Sequence, residues 1–353
     1  MSKTKFSFMR AAFVLAPLIG GACGTVPGSL EAPAGDSLLG DTPTPPTGYS
    51  FSGMTASPTS GNTWQTRTRM TFSRSHTAAA EINGQIYVAG GASAVPVFTI
   101  LDRLEVYDPV SDTWNTLRNM PTKRWDFAGA AANGKFYCMG GRPQAGGLSP
   151  VVEEYDPATD TWLGKTNMIS ARAAFAAVTV NNKIYAICGE GSNVIEEFDP
   201  IANTWTAKTA VPNAPQQHGA AVVNGLIYVV GGNNGPGGAS NVVFAYDPAQ
   251  STFTPMNPIP TPRTYLGVAA VGAIVFAFGG SNSEPHYFDA LETFDVGLNL
   301  GSGRPGGKFA RHGVALVPAG GKLYAIGGFD FSGSLNTNEE FTPAPVFYVF
   351  KKN

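Results

Sequence analysis

One short motif recurs along most of the chain: an aromatic residue, two apolar residues and a glycine pair, first present as YVAGG at residues 87–91. Its six copies recur at nearly even intervals and end at Gly91, Gly141, Gly189, Gly232, Gly280 and Gly328. A period of about 45 residues is typical of repeat folds in which each copy forms one supersecondary unit. We therefore expect six similar units rather than one or two ordinary domains.

Each copy contains the signals of four short strands. In the first copy, HTAAAEI leads through the Asn83-Gly84 turn into QIYVAGG, and RLEVYDP and TWNTL follow after a variable loop. Asn-Gly between apolar runs indicates a tight hairpin, because both residues tolerate positive φ. The 43 Gly and 27 Pro residues, with only 14% charged residues, also favour short strands joined by turns. Each copy therefore predicts one four-stranded antiparallel sheet.

Large aromatic residues occupy the same places in successive copies. They come three residues before the glycine pair (Tyr87, Tyr137, Tyr185, Tyr228, Phe276, Tyr324), in the third strand (Tyr107, Tyr155, Phe198, Tyr246, Phe294, Phe341) and seven residues later (Trp114, Trp162, Trp205, Phe253). One ring per sheet at a fixed place is what packing between neighbouring sheets requires, since each ring buries about 150–250 Å². We interpret these rings as core residues, not as a binding surface.

The repeated pattern resembles the kelch family, which is marked by a glycine pair with an Arg and a Tyr before it and a Trp after it. In the first copy these are Gly90-Gly91, Arg74, Tyr87 and Trp114. The resemblance covers residues 62–353. It implies an all-β fold, a six-bladed β-propeller of four-stranded antiparallel blades. The chain departs from the pattern twice, because Cys188 replaces a glycine in the third copy and the fifth copy lacks the Trp.

The domain boundaries follow from the repeats. We place the blades near residues 74–120, 124–168, 172–211, 215–258, 263–308 and 311–353. The ring of blades has to close, because an unpaired first or last blade would leave open sheet edges. Trp64 lies ten residues before Arg74, a spacing that recurs in the next two copies, so residues 62–70 are expected to complete blade 6. The C-terminal segment around Tyr348 is the alternative, beside that strand or in its place.

The segment before the first repeat has a different character. Residues 1–22 combine Lys3, Lys5 and Arg10 with a short apolar run, which indicates a signal peptide and export. The end of that run, LIGGAC, resembles a bacterial lipoprotein signal and implies acylation of Cys23; secretion without acylation is the alternative. Residues 23–61 are rich in Pro, Gly, Ser and Thr and predict a flexible tether. We expect an exported protein that contacts a membrane only through this lipid, at the outer membrane or cell envelope, or a free periplasmic or extracellular one.

The order of strands in such a blade decides which segments share a face. The variable loops after the glycine pairs lie beside the residues that open the innermost strands, and binding residues usually lie on such loops. Five arginines open these strands: Arg74, Arg124, Arg172, Arg263 and Arg311. They bond backbone or carboxylate groups as scaffold, or some of them (Arg74, Arg124, Arg263 and Arg311 are the candidates) bind an anionic ligand.

Residues that do not repeat are stronger candidates, because the demands of the scaffold are the same in every blade. Just after the arginines come His76, Trp125, Asp126, Tyr265 and His312, which belong to blades 1, 2, 5 and 6. The loops SNSEPHYFDA and FDFSGSLNT add aromatic and polar groups in blades 5 and 6. We expect a cleft lined by these side chains, suited to a carbohydrate or an extended peptide.

The sequence carries few signs of other chemistry. A formal net charge of −2 supplies no basic field for nucleic acid. The four His residues occupy different places in their repeats, so we expect no metal, and the absence of phosphate-loop and nucleophile motifs indicates no cofactor. Cys138 and Cys188 lie among aliphatic and aromatic residues and are expected in the core, which disfavours the copper chemistry of galactose oxidase, a kelch-type enzyme. Five repeated glutamates are interpreted as structural: Glu105, Glu153, Glu196, Glu292 and Glu339.

These observations favour a monomeric protein that binds a protein or carbohydrate partner without catalysis. One enzymatic alternative rests on resemblance. Exported six-bladed kelch proteins of similar length include bacterial sialic acid epimerases, which interconvert anomers with acid/base groups and arginines at the propeller mouth. In this chain Asp126, His76, Glu190 or His312 could supply such a group.

Overall fold

The computed structural model describes residues 49–56, 61–94, 97–211, 213–235, 238–283, 286–344 and 346–352. The expected signal peptide, Cys23 and most of the expected tether lie outside these described residues, so export and acylation stay predictions. In the described ranges, no helix is long and apolar enough to cross a membrane.

Thirty-four β-strands make up the regular structure of the described ranges. In chain order they are β1 (Tyr49–Ala56), β2 (Thr63–Thr66), β3 (Ala78–Ile82), β4 (Gln85–Ala89), β5 (Ala92–Ser93), β6 (Thr99–Ile100), β7 (Leu104–Asp108), β8 (Thr113–Leu117), β9 (Arg124–Trp125), β10 (Ala128–Ala132), β11 (Lys135–Met139), β12 (Arg142–Pro143), β13 (Val152–Asp156), β14 (Thr161–Lys165), β15 (Ala176–Val180), β16 (Lys183–Ile187), β17 (Val194–Asp199), β18 (Thr204–Ala210), β19 (Gly219–Val223), β20 (Leu226–Val230), β21 (Val243–Asp247), β22 (Thr252–Met256), β23 (Gly267–Val271), β24 (Ile274–Phe278), β25 (Ser281–Ser283), β26 (His286–Tyr287), β27 (Leu291–Asp295), β28 (Leu300–Arg304), β29 (Ala315–Ala319), β30 (Lys322–Ile326), β31 (Phe329–Asp330), β32 (Gly333–Ser334), β33 (Asn338–Thr342) and β34 (Val346–Lys352).

Six four-stranded antiparallel sheets form the blades of a propeller. From the axis outward, blade 1 is β3-β4-β7-β8, blade 2 is β10-β11-β13-β14, blade 3 is β15-β16-β17-β18, blade 4 is β19-β20-β21-β22, blade 5 is β23-β24-β27-β28 and blade 6 is β29-β30-β33-β2. The fold expected from the repeats is therefore confirmed. Short pairs of strands (β5-β6, β9-β12, β25-β26 and β31-β32) lie in the connections at one face, which we call the loop face.

Apolar packing between neighbouring blades holds the ring together. The buried residues of the described ranges form six clusters, one at each boundary between two blades, and the repeated aromatic residues lie within them. The innermost strands carry small residues because they approach one another closely around the axis. A Cβ on Gly129 of β10, for example, would lie 2.8 Å from the Cβ of Ala78 in the neighbouring blade.

The N-terminal part of the propeller supplies the strand that closes blade 6. Strand β2 pairs antiparallel with β33, and Trp64 lies opposite Phe341, as Trp114 lies opposite Tyr107 in blade 1. The C-terminal strand β34 pairs with β1 in a separate two-stranded sheet. Closure therefore joins residues from opposite ends of the propeller in one sheet.

A buried ion pair lies inside each of five blades. The pairs are Arg74–Glu105, Arg124–Glu153, Arg172–Glu196, Arg263–Glu292 and Arg311–Glu339. The guanidinium groups also donate to backbone carbonyls, as Arg124 does to Gly140 and Val151 over 3.1 and 2.9 Å. Each pair thus ties the segment that leads into the innermost strand to the second and third strands of the blade, and the repeated glutamates are structural.

Candidate functional site

One residue per blade surrounds the axis at the loop face and defines what we call the mouth: His76, Asp126, Ala174, Gln217, Tyr265 and Gly313. All six have a φ between 51° and 60°. The backbone N–H of each donates to the carbonyl of its counterpart in the preceding blade, over 2.7–3.2 Å, so that six hydrogen bonds form a closed ring. The backbone of the mouth is therefore held by the same hydrogen bond in every blade, and the five different side chains, with Gly313 bare, set its chemistry.

The glycine of this ring determines where the neighbouring imidazole lies. A Cβ on Gly313 would lie 2.7–2.8 Å from three ring atoms of His76, so the imidazole occupies the space that a side chain at 313 would need. The Nδ1 atom of His76 lies 3.1 Å from the Ser75 Oγ atom. Burial lowers the pKa of His76 to about 4, so the ring is neutral at pH 7.

The arginines proposed as ligand-binding residues do not reach the mouth. Arg74, Arg124, Arg263 and Arg311 are fully buried, and each guanidinium is paired with a glutamate of its own blade. A buried guanidinium whose charge is already neutralised is not available to an anionic ligand. These four residues are therefore part of the scaffold and not of the candidate site.

Aromatic side chains cross the loop face in a continuous series. We call this series the aromatic belt: Phe98, Trp125, His76, Tyr265, His312, Tyr287, Phe329 and Phe331. Along the path Phe98, Trp125, His76, His312, Tyr287, Phe331, successive ring centroids lie 4.9–5.9 Å apart. The two ends are exposed, Phe98 by 56% and Phe331 by 76%, whereas the rings between them are more buried. The belt connects blades 5, 6, 1 and 2.

A group of charged residues borders the belt on the side of blades 2 and 3. Arg142 pairs with Glu190 of blade 3, and its Nε lies 3.4 Å from Oδ2 of Asp126. The Arg142 guanidinium also lies over the Trp125 ring, 5.7 Å from the centroid. Burial, opposed by Arg142 and reinforced by Glu190, raises the pKa of Asp126 to about 6. One guanidinium is thus shared by two carboxylates.

The structure brings together the non-repeating residues that the sequence singled out. His76 lies beside Trp125, Tyr265 and His312, with ring centroids 4.8–5.6 Å away, and its Nε2 lies 3.9 Å from Asp126 Oδ1. Sequence reasoning missed Phe98 and Arg142. Only Arg142 has a positional signal. Arg142 directly follows a glycine pair. The residue at that place pairs with the residue after the repeated arginine, as Arg142 does with Trp125.

Other features of this face do not form a reactive centre. A shallow depression between blades 3 and 4 is lined by Glu190, Asn193, Gln216, Asn233 and Asn234. In the ranges that the structure describes, no three His, Cys, Asp or Glu side chains come together as metal ligands. Cys138 and Cys188 are unpaired and buried in the core clusters, and burial raises the pKa of the Cys188 thiol to about 12.

Comparison with known proteins bears on the fold. The kelch motif family model matches residues 73–121, 171–209, 215–260 and 310–344. The solved structure of YjhT is similar to this chain with a TM-score of 0.68 and 14% identity, over 76% of this chain and 95% of that one. A search of the curated proteins finds no match in sequence. The family match and the structural likeness agree with the blade architecture described above.

Proposed function

We propose that this protein, a kelch-repeat β-propeller, is a binding protein that holds a protein or carbohydrate partner at the mouth of its loop face. The aromatic belt is the observation that carries this proposal. Its rings differ from blade to blade, so the scaffold does not require them, and aromatic residues contribute much of the energy at binding surfaces. The ring of backbone hydrogen bonds below the belt holds the backbone in place before a partner binds. Binding therefore costs little conformational entropy of the backbone.

The exposed ends of the belt provide the test. Replacing Phe98 and Phe331 together with serine is expected to weaken binding of the best ligand from a glycan and peptide array by about tenfold or more, since an interface aromatic often contributes about 1–2 kcal/mol or more. Dissociation constants measured by calorimetry check this. The unfolding midpoint in urea should not change, because both side chains are largely exposed.

The opposite face offers a matched control. Val110 and Ile201 follow Asp-Pro turns there and are 96% and 85% exposed. Serine at both positions removes a similar amount of exposed apolar surface far from the mouth and should leave the dissociation constant unchanged. If the two double variants bind equally well, the aromatic belt is not the binding surface.

We infer one alternative function, a sugar epimerase of the sialic acid type acting at the same mouth. Asp126 and His76 favour it, because two titratable groups lie 3.9 Å apart at the axis and a pKa of about 6 for Asp126 suits acid/base catalysis. Glu190 and His312 are nearby second candidates. Proton NMR of freshly dissolved sialic acid provides the test. The epimerase is excluded if the wild-type protein equilibrates the anomers no faster than buffer, and supported if Asp126→Asn removes an acceleration.

A further inference from the structure

We propose that the mouth receives a positively charged group, the ammonium or guanidinium of a basic side chain in a peptide partner. This inference rests on the proposed binding function and specifies its ligand. It is supported by the net charge at and beside the mouth, by the incomplete hydrogen bonding of the Asp126 carboxylate, and by the aromatic rings around it.

Asp126 of the mouth and its two charged neighbours, Arg142 and Glu190, together carry more negative than positive charge. Asp126 and Glu190 share the single guanidinium of Arg142, and the five arginines of the innermost strands are each neutralised inside their blades. The neutral imidazole of His76 adds no charge at pH 7. The three charged groups therefore sum to about one negative charge, and the burial of the Asp126 side chain strengthens the electrostatic interactions of that carboxylate.

The carboxylate of Asp126 is only partly satisfied. Its side chain is 2% exposed, and Oδ2 receives the long 3.4 Å contact from Arg142. Oδ1 lies 3.9 Å from His76 Nε2, beyond hydrogen-bond distance, and no other donor among the described residues bonds to it. The Asp126 carboxylate can therefore accept a further hydrogen bond. An ammonium or guanidinium placed above it would supply both the donor and the charge.

The aromatic rings near Asp126 suit a cationic side chain that is flanked by apolar side chains. Trp125 already holds one guanidinium over its face, that of Arg142, and Trp and Tyr faces attract cations most strongly. At the ends of the belt, Phe98 and Phe331 offer apolar surface and no hydrogen-bonding groups. Apolar side chains on both sides of a Lys or Arg match this arrangement better than the hydroxyls of a sugar do.

An anionic ligand would meet a less favourable mouth. To reach the Arg142 guanidinium, it would have to displace Glu190, whose side chain is 43% exposed. It would then lie beside the ionised Asp126, so that its attraction to Arg142 would be opposed by repulsion from the Asp126 carboxylate. A cation needs no such displacement.

Three short peptides provide the test: acetylated and amidated Phe-X-Phe in which X is Lys, norleucine or Glu. We expect the Lys peptide to bind about tenfold more tightly than the norleucine peptide and the Glu peptide to bind most weakly, as measured by calorimetry at low salt. Glu190→Gln and Asp126→Asn should each reduce the preference for Lys. Asp199→Asn removes a carboxylate at the opposite face, keeps the acceptor for the turn, and should leave the preference unchanged.

The outcomes separate this inference from the binding function on which it rests. Equal binding of the Lys and norleucine peptides, or tighter binding of the Glu peptide, overturns the inference while binding at the mouth stands. The inference is also wrong if the Lys preference survives in Glu190→Gln, an exposed position where loss of folding is not expected. Binding of glucosamine without any peptide binding contradicts a peptide partner. If no peptide or glycan binds at all, the inference and the proposed function fail together.

Discussion

Glu339→Leu is expected to lower the free energy of unfolding by about 3–5 kcal/mol, because it leaves a buried guanidinium without its counter-charge. Glu339 pairs with Arg311 at 2.7 Å and also accepts the backbone N–H of Lys308. Both side chains of the pair are almost completely buried. Urea denaturation of the folded protein, followed by tryptophan fluorescence, measures the change.

Two further variants show whether charge is the cause. Arg311→Met combined with Glu339→Leu should recover most of the loss, since an apolar pair of similar volume often replaces a buried ion pair without cost. Lys183→Ala removes an ion pair whose lysine is 44% exposed and should cost less than about 1 kcal/mol. If Glu339→Leu costs no more than Lys183→Ala, the buried pairs do not hold the blades as described.

Trp64→Ala is expected to destabilise the protein by about 2–4 kcal/mol, a large effect for a single residue in a four-residue strand. Its ring lies 4.8 Å from Phe278 and 5.1 Å from Phe341, and its Nε1 donates to the Pro305 carbonyl over 2.8 Å. The side chain therefore joins the closing strand β2 to blades 5 and 6. Its loss removes both packing and an inter-blade hydrogen bond.

Trp114 gives the matched comparison, because it makes the equivalent contacts in blade 1. Its ring lies 4.9 Å from Tyr107, and its Nε1 donates to the Thr68 carbonyl over 2.8 Å. If β2 is an integral part of blade 6, Trp64→Ala should cost about as much as Trp114→Ala in urea denaturation. A Trp64→Ala cost no larger than that of an ordinary surface substitution, with a large cost for Trp114→Ala, would show that the ring does not depend on β2.

The fold could be predicted from the sequence because its physical demands repeat. A glycine pair recurs in five blades, with Cys188-Gly189 in its place in the third, and every blade has wedge-filling rings. Tyr107 and Tyr155 are buried where their spacing placed them. The strand that closes blade 6 was harder to predict, since Trp64 and Tyr348 both have the spacing of an outer-strand aromatic residue. Only the pairing of β2 with β33 distinguishes them. The pairing of β1 with β34 has no counterpart in the repeats, and β1 lies within residues 23–61, for which the composition predicts a flexible tether.

The site was predicted less well, for the same reason. Non-repetition drew attention to five residues that the structure places side by side: His76, Trp125, Asp126, Tyr265 and His312. Repetition alone could not show that the arginines are buried, because a ring of charges at the mouth and a ring of internal ion pairs have the same spacing. The position of the Arg142 side chain depends on a loop whose course differs from blade to blade. Its place between Asp126 and Glu190 could therefore not be predicted from the repeats.

The account depends most on the aromatic belt as the surface that touches the partner, and site-specific photo-crosslinking tests this directly. A benzophenone-bearing residue replaces Phe331 in one protein and Ile201, at the opposite face, in another. With the ligand selected by the arrays, illumination should join ligand to protein at position 331 and not at position 201. Crosslinking at 201 with none at 331 would contradict the account.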